Sequence, residues 1–222
     1  MSANAELRAS RLLVFVGPAG AGKTTIAHRL RAARPERRAF SVSHTTRPMR
    51  AGERDGEDYH FVSREAFETL RDQHGFAEWA EVHGNLYGTS VAEIERLRSA
   101  GKDMLFDIDI QGAHSLYRLY EHETWLCFLL PPSWPVLVAR LLGRGTETEE
   151  TVKRRLRTAR LELLGVLESP APWHVVVNDA LDRTHTELEA RLDDPKAAPT
   201  DVHNHPAVRA FLEDALADPR AS

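Results

Sequence analysis

The chain has a single cysteine, Cys127, in 222 residues. No internal disulfide can brace it, so stability has to come from a packed core. Cys127 stands in an apolar run, where a thiol behaves as a small core side chain. No apolar stretch approaches the roughly 18 residues of a membrane-crossing helix. Residues 1–11 are polar and lack the apolar centre of a secretory signal, so a cytoplasmic protein with no membrane attachment is expected. There is no long basic run either. The net charge is −4, which argues against sequence-independent nucleic-acid binding, although 29 Lys and Arg against 33 acids allow a local basic site. No internal repeat is visible, which removes solenoids and propellers. At 42% hydrophobic and 28% charged, the composition is that of a globular chain, long enough for one large domain or a core with small inserts.

What is present is organised around Gly17-Pro18-Ala19-Gly20-Ala21-Gly22-Lys23-Thr24-Thr25. An apolar run, Leu12 to Val16, precedes it, and a helical pattern follows from Thr24. This is G-x-x-x-x-G-K-[ST] between a strand and a helix, the setting that separates a phosphate loop from a chance glycine-rich turn. Glycines let backbone N–H groups approach an anion closely. The helix N-terminus adds orphan donors and a positive partial charge. Lys23 can reach the β- and γ-phosphates, and the Thr24 hydroxyl can bind a magnesium ion.

Along the chain, helices and strands alternate. A helix is expected over 24–33, stopped at Pro35, then a short strand over 39–43. Residues 44–53 read as a polar loop, 58–62 as a strand, and Ser63 as the cap of a helix over 64–73. Residues 76–82 and 86–88 suit a hairpin, followed by a helix from Thr89 or Ser90 to Gly101. Buried-type strands are expected at 104–110, 124–130 and 173–178. Helices are expected at 112–122, 133–142, 181–192 and 206–217. A long charged helix ends near Glu168, with Thr146 and Glu149 at capping-box spacing. This order predicts a parallel sheet covered by helices on both faces, interrupted at about 44–100 by a smaller, antiparallel αβ insert. Ligands of such sheets bind beyond the carboxyl ends of the strands, where the phosphate loop, Ser43, Asp107, Asp109 and Asn178 all fall.

The phosphate loop implies only a nucleoside triphosphate. Arg47 and Arg50 on one loop, with Tyr59 and Tyr87, form a candidate site for a second phosphate, because guanidinium forks match phosphate oxygens and phenols donate without adding charge. The other reading of this loop is a solvated basic segment. Glu78 taken alone reads as an exposed strand carboxylate. Guanine, however, offers two adjacent donors, N1–H and N2–H₂, which one carboxylate can accept. A hydroxyl from Ser43 or Thr89 can serve O6. Adenine would leave such a carboxylate unpaired, at roughly 1–3 kcal/mol.

These segments together resemble guanylate kinase. The resemblance is carried by Ser41-Val42-Ser43-His44-Thr45-Thr46-Arg47-Pro48, Asp58-Tyr59-His60-Phe61, Glu78-Trp79 and Gly84-Asn85-Leu86-Tyr87-Gly88-Thr89. It continues in Asp107-Ile108-Asp109-Ile110-Gln111-Gly112, Gly143-Arg144-Gly145-Thr146 and Val177-Asn178-Asp179. It runs in order from about Leu12 to about Leu192. It implies a P-loop NTPase-type, three-layer αβα domain over 1–193. The core would comprise 11–43 and 101–193, the GMP-binding insert 44–100 and the mobile lid about 141–158. Residues 194–222 match none of the family's motifs. It implies direct phosphoryl transfer from ATP to GMP with Mg²⁺, dGMP being a further acceptor to test. Carried over, residues 17–25 and Asn178 bind ATP. Ser43, Glu78 and Thr89 read guanine, and Arg47, Arg50, Tyr59 and Tyr87 hold its phosphate. Asp107 and Asp109 lie near the acceptor and the metal's water shell. Arg144 and Arg155 descend with the lid, so that Lys23, Arg47, Arg144 and Arg155 are the catalytic cations.

Two rival readings share the fold. A non-enzymatic guanylate-kinase-like interaction module could dispense with an intact phosphate loop, which is complete here. A kinase for a phosphorylated sugar would have no use for Ser43, Glu78 and Thr89. His203 and His205 are two metal-ligand types without a third, which makes no site.

Overall fold

The computed structural model describes residues 10–82, 84–143, 148–194 and 196–221. Nine strands and eight α-helices are described. The strands are β1 Leu12–Val16, β2 Arg38–Phe40, β3 His44–Thr45, β4 His60–Phe61, β5 Phe76–Val82, β6 Asn85–Ser90, β7 Asp103–Asp107, β8 Thr124–Leu130 and β9 Trp173–Val177. The helices are α1 Lys23–Ala33, α2 Arg64–Asp72, α3 Val91–Ser99, α4 Ile110–Leu119, α5 Trp134–Leu142, α6 Glu149–Glu168, α7 Leu181–Asp193 and α8 Pro206–Ala217. A parallel sheet takes the order β2-β7-β1-β8-β9, and a smaller one β4-β3-β6-β5. Every residue of β1 is buried, as a strand covered on both faces requires. No described helix is long and apolar enough to cross a membrane.

The chain divides into two compact units. One comprises Met1–Leu13, Arg34–Phe106 and Gln111–Thr124; the other comprises Val14–Ala33, Asp107–Ile110 and Trp125–Ser222. The first contains the whole of residues 44–100. Its small sheet mixes directions: β3 runs antiparallel to β6 and parallel to β4. Ser63 and Ser90 cap α2 and α3 as expected, each hydroxyl accepting a backbone N–H three residues on.

In the second unit, residues 196–221 are not a loose appendage. Thr200 extends the edge of β9, its N–H donating to Trp173 O at 2.8 Å and its hydroxyl accepting from Val175 N at 3.0 Å. Helix α8 packs on α5 and α6. Trp134 meets Phe211 edge to face and donates from Nε1 to Asp218 at 2.9 Å. Arg220 grips the same carboxylate with two nitrogens, at 2.8 and 2.6 Å.

Several expected boundaries shift. Residues 44 and 45, expected in a loop, form β3, because their partners in β6 lie more than forty residues away and leave no local periodicity. The strand expected over 104–110 stops at Asp107, and α4 begins at Ile110 and ends at Leu119 rather than spanning 112–122. The strand expected over 39–43 covers only 38–40. Helix α6 is capped by Thr148, whose hydroxyl accepts from Thr151 N, in place of the expected Thr146–Glu149 box. Thr146 lies outside the described residues. Cys127 is fully buried, and burial raises its thiol far above the ordinary range, as expected of a core residue.

Candidate active site

Helix α1 begins at Lys23, directly on the phosphate loop, so its first N–H groups face the loop's concavity. The turn needs glycine most tightly at Gly17 and Gly22. Gly17 has φ +144°, and a Cβ there would stand 2.2 Å from Leu129 O; Gly22 has φ +93°, and its Cβ would stand 2.4 Å from Asn178 Nδ2. No other residue allows so close a backbone approach. Asn178, at the end of β9, is buried and donates from Nδ2 to Ala21 O at 2.7 Å. Arg140 of α5 donates to Gly20 O at 3.1 Å and to Asn178 O at 3.3 Å. The loop is thus buttressed from behind before any anion arrives. Beside it lies a cleft of about 390 Å³ lined by Gly20, Gly22, Thr25, Arg140, Asn178 and Leu181, within the range of small-ligand pockets.

On the open side of the loop, the Thr24 hydroxyl donates to Asp107 Oδ2 at 2.6 Å. Lys23 Nζ donates to Gly17 O at 2.7 Å and lies 3.6 Å from Asp107 Oδ1. Hydroxyl and carboxylate oxygens suit a hard divalent cation. Among the described residues no group of three His, Cys, Asp or Glu is arranged to hold a metal alone.

The first unit assembles a different set. Pairing of β5 with β6 sets Glu78 opposite Thr89, and Thr89 N donates to Glu78 Oε1 at 2.8 Å. The Ser43 and Thr89 hydroxyls are 3.3 Å apart. Glu78 and Thr89 are both buried. One carboxylate and two hydroxyls from separate segments therefore converge on one polar spot. Nearby in the same unit, the Arg47 guanidinium lies 5.5 Å from the Tyr59 ring centroid, and the Tyr59 and Tyr87 rings are 6.0 Å apart. A Tyr87 side-chain hydrogen bond also acts on Arg47. Arg47 is held by Glu53 in a two-pronged ion pair at 3.0 and 2.7 Å. That fork, above all, holds Glu53 below the usual carboxylate range. Arg50 contributes a backbone N–H to the same carboxylate at 2.7 Å, and its side chain is exposed.

The structure thus brings Ser43, Glu78 and Thr89 together, groups Arg47, Tyr59 and Tyr87, and groups Lys23, Thr24 and Asp107. Asp107 and Asp109, expected near the acceptor and the metal's water shell, share the second unit with the phosphate loop. Arg155 stands in the second turn of α6, half-buried. Arg144 lies outside the described residues. Sequence reasoning missed Arg140, the single charged residue of the otherwise apolar α5, which only its contacts with Gly20 O and Asn178 O single out.

A family model described as guanylate kinase matches residues 9–195. A guanylate kinase of Nitratidesulfovibrio vulgaris is 50% identical over 183 residues, which are 82% of this chain and 86% of that one. One from Oleidesulfovibrio alaskensis is 48% identical over 185 residues, with the same coverage of each chain. The crystal structure of a guanylate kinase from Anaplasma phagocytophilum superposes with a TM-score of 0.65 at 27% identity, covering 96% of this chain and 97% of that one.

Proposed function

The chain belongs to the guanylate kinase family and phosphorylates GMP with ATP, and we propose that its two compact units divide the substrates, the second holding ATP and the first GMP. The observation that carries this division is the buried junction of Ser43, Glu78 and Thr89 beside the Arg47, Tyr59 and Tyr87 cluster. Glu78 accepts from guanine N1–H and N2–H₂, and a hydroxyl of Ser43 or Thr89 donates to O6. Arg47, Arg50, Tyr59 and Tyr87 take the GMP phosphate, Arg47 keeping or exchanging its Glu53 partner.

On the donor side, the backbone N–H groups of the loop after Pro18, residues 19–25, cradle the triphosphate, and the adenine lies along the cleft of Arg140, Asn178 and Leu181. The kinase works with a divalent metal, which we assign as Mg²⁺ at the Thr24 hydroxyl. When bound, the metal neutralises charge on the transferring phosphoryl group. Asp107 orients the Thr24 hydroxyl that would hold the metal. No covalent intermediate is required, because a GMP phosphate oxygen attacks the γ-phosphorus directly. Lys23 leaves Gly17 O and Asp107 for the β- and γ-oxygens. Arg144 and Arg155 come down on the same charge as the lid over about 141–158 closes and excludes water. We further propose a cytoplasmic location, where its nucleotide substrates are.

An acceptor panel tests the division. With purified protein, ATP and Mg²⁺, GMP should turn over fastest, ahead of dGMP, AMP and ribose 5-phosphate. A sugar phosphate preferred over GMP would overturn the guanine assignment, and absence of turnover with every acceptor would favour the interaction module.

A further inference from the structure

In the first unit, residues 41–43 carry the chain from β2 to β3. Backbone bonds hold this link at both ends: Ser41 N donates to Leu105 O at 3.1 Å, and Ser43 O accepts from His60 N at 2.9 Å. Between them, Val42 lies outside both strands, and its N–H donates to Glu93 Oε1 at 3.1 Å. Glu93 stands in the first turn of α3, three residues after the cap Ser90. That is capping-box spacing, in which the acidic side chain turns back toward the cap's own N–H. Ser90 does its half and accepts from Glu93 N at 3.2 Å. The carboxylate reaches out of the helix to the Val42 segment. It is buried, and Arg96, one turn on, forks it through Nε at 2.8 Å and Nη2 at 2.9 Å. A buried carboxylate is costly unless its charge is met in this way. An exposed acid would serve the helix dipole equally well, so starting α3 does not explain the burial.

We propose that Glu93 is a positioning residue for guanine recognition, acting through Ser43. The two ends of its bridge adjoin the two hydroxyl residues. Val42 precedes Ser43, and Ser90, whose cap holds Glu93, follows Thr89. The Ser43 and Thr89 hydroxyls stand 3.3 Å apart. The bond between them takes one of their two protons, which leaves the other for guanine O6. Thr89 is fixed independently, by strand pairing and by its N–H on Glu78. Ser43 lies ahead of β3, so its place depends on the bonds on either side of it, and the Val42–Glu93 bond is one of these. Loss of that bond frees the peptide before Ser43 to turn. The base then loses a donor at O6 with no change at the phosphate loop or at the Arg47 fork. The inference rests on the guanine reading of Ser43 proposed above.

The test crosses two conservative substitutions in the full chain. Glu93→Gln keeps an oxygen at the same reach and loses the charge. Glu93→Asp keeps the charge and falls about 1.5 Å short of Val42 N. In steady-state kinetics Glu93→Asp should raise KM for GMP about fivefold, the scale of one neutral hydrogen bond, with kcat and KM for ATP within about twofold of wild type. Glu93→Gln should bring KM for GMP back near the wild-type value, because the Arg96 side chain is 61% exposed and can turn to water. In a Ser43→Ala background the effect of Glu93→Asp should vanish, since the carboxylate acts through that hydroxyl. A carboxylate that served stability alone would give the reverse order, with Gln worse than Asp, or an effect that multiplies with that of Ser43→Ala; either result overturns the proposal. If Glu93→Asp does not fold, Glu93→Ala takes its place in the same comparison, alanine being the best helix former. Ser43→Ala alone separates the two assignments. An unchanged KM for GMP there would remove Ser43 from base recognition, whereas a raised KM there beside a native one in Glu93→Asp overturns only the role of Glu93.

Discussion

The hydroxyl of Thr24 and the carboxylate of Asp107 are joined by a 2.6 Å hydrogen bond. One comes from the first turn of α1 and the other from the last residue of β7, so strand and helix meet at the point where a metal would sit. Asp107→Asn keeps the shape but removes the charge that orients the Thr24 hydroxyl. We expect activity or metal affinity to fall about 10–100-fold, the usual scale for partners of metal ligands. The half-saturating Mg²⁺ concentration should rise while GMP affinity holds. An unchanged metal titration would remove Asp107 from the metal's surroundings.

Glu78 already receives the Thr89 N–H on Oε1. In Glu78→Gln the amide oxygen is drawn to that same N–H, and the NH₂ group must face guanine's own donors. The preference for GMP over AMP should shrink roughly five- to hundredfold, matching the cost of a buried unpaired donor. The protein should stay folded, because the bond between the strands survives. Ratios of kcat/KM for the two nucleotides measure this, and an intact preference would remove Glu78 from base recognition.

Arg47 is pre-set as a fork. Glu53 fixes both of its terminal nitrogens, and the Tyr59 and Phe61 rings lie beneath its guanidinium. Lysine is a point charge and cannot reproduce that geometry. Arg47→Lys should raise KM for GMP about tenfold or more and leave KM for ATP nearly unchanged. Steady-state kinetics with each substrate varied in turn distinguishes the two, and an equal rise in both constants would count against a dedicated acceptor role.

Asp218 joins the C-terminal segment to α5 through Trp134 and is itself held by Arg220. Asp218→Ala leaves a buried indole N–H unpaired and should cost about 1–3 kcal/mol. For a chain of this size that lowers Tm by about 2–10 °C. Arg220, first, and Trp134 hold the carboxyl well below the ordinary aspartate range. Its contribution is therefore complete above the unfolded value of about 3.9 and disappears as the pH falls through the lower native value. Thermal scans of wild type and variant should differ at neutral pH and converge in acid. Identical melting curves at neutral pH would show the contact to be idle.

Much of this protein was legible before any coordinates. The phosphate loop is a contiguous motif whose chemistry depends on residues within nine positions of each other, and Leu126–Leu130 reads as buried because every residue in it is apolar. The caps Ser63 and Ser90 act over three residues. Such features are local, and periodicity and residue type determine them. Strand β3 shows the limit. His44 and Thr45 extend only because they pair with Gly88 and Tyr87 and with His60 and Phe61, partners remote in the chain.

The sequence by itself determined the phosphate loop, the alternation of strands and helices, and the kinds of side chain available to read guanine. Only the tertiary structure decided that Glu53 grips Arg47, that Asp107 belongs to Thr24, and that residues 196–221 are fastened to α5 and α6. A residue's type and spacing specify what it can bond, whereas which partner it meets depends on helix and strand contacts formed across long stretches of chain. Those contacts follow from burial and close packing, which act without regard to separation in sequence.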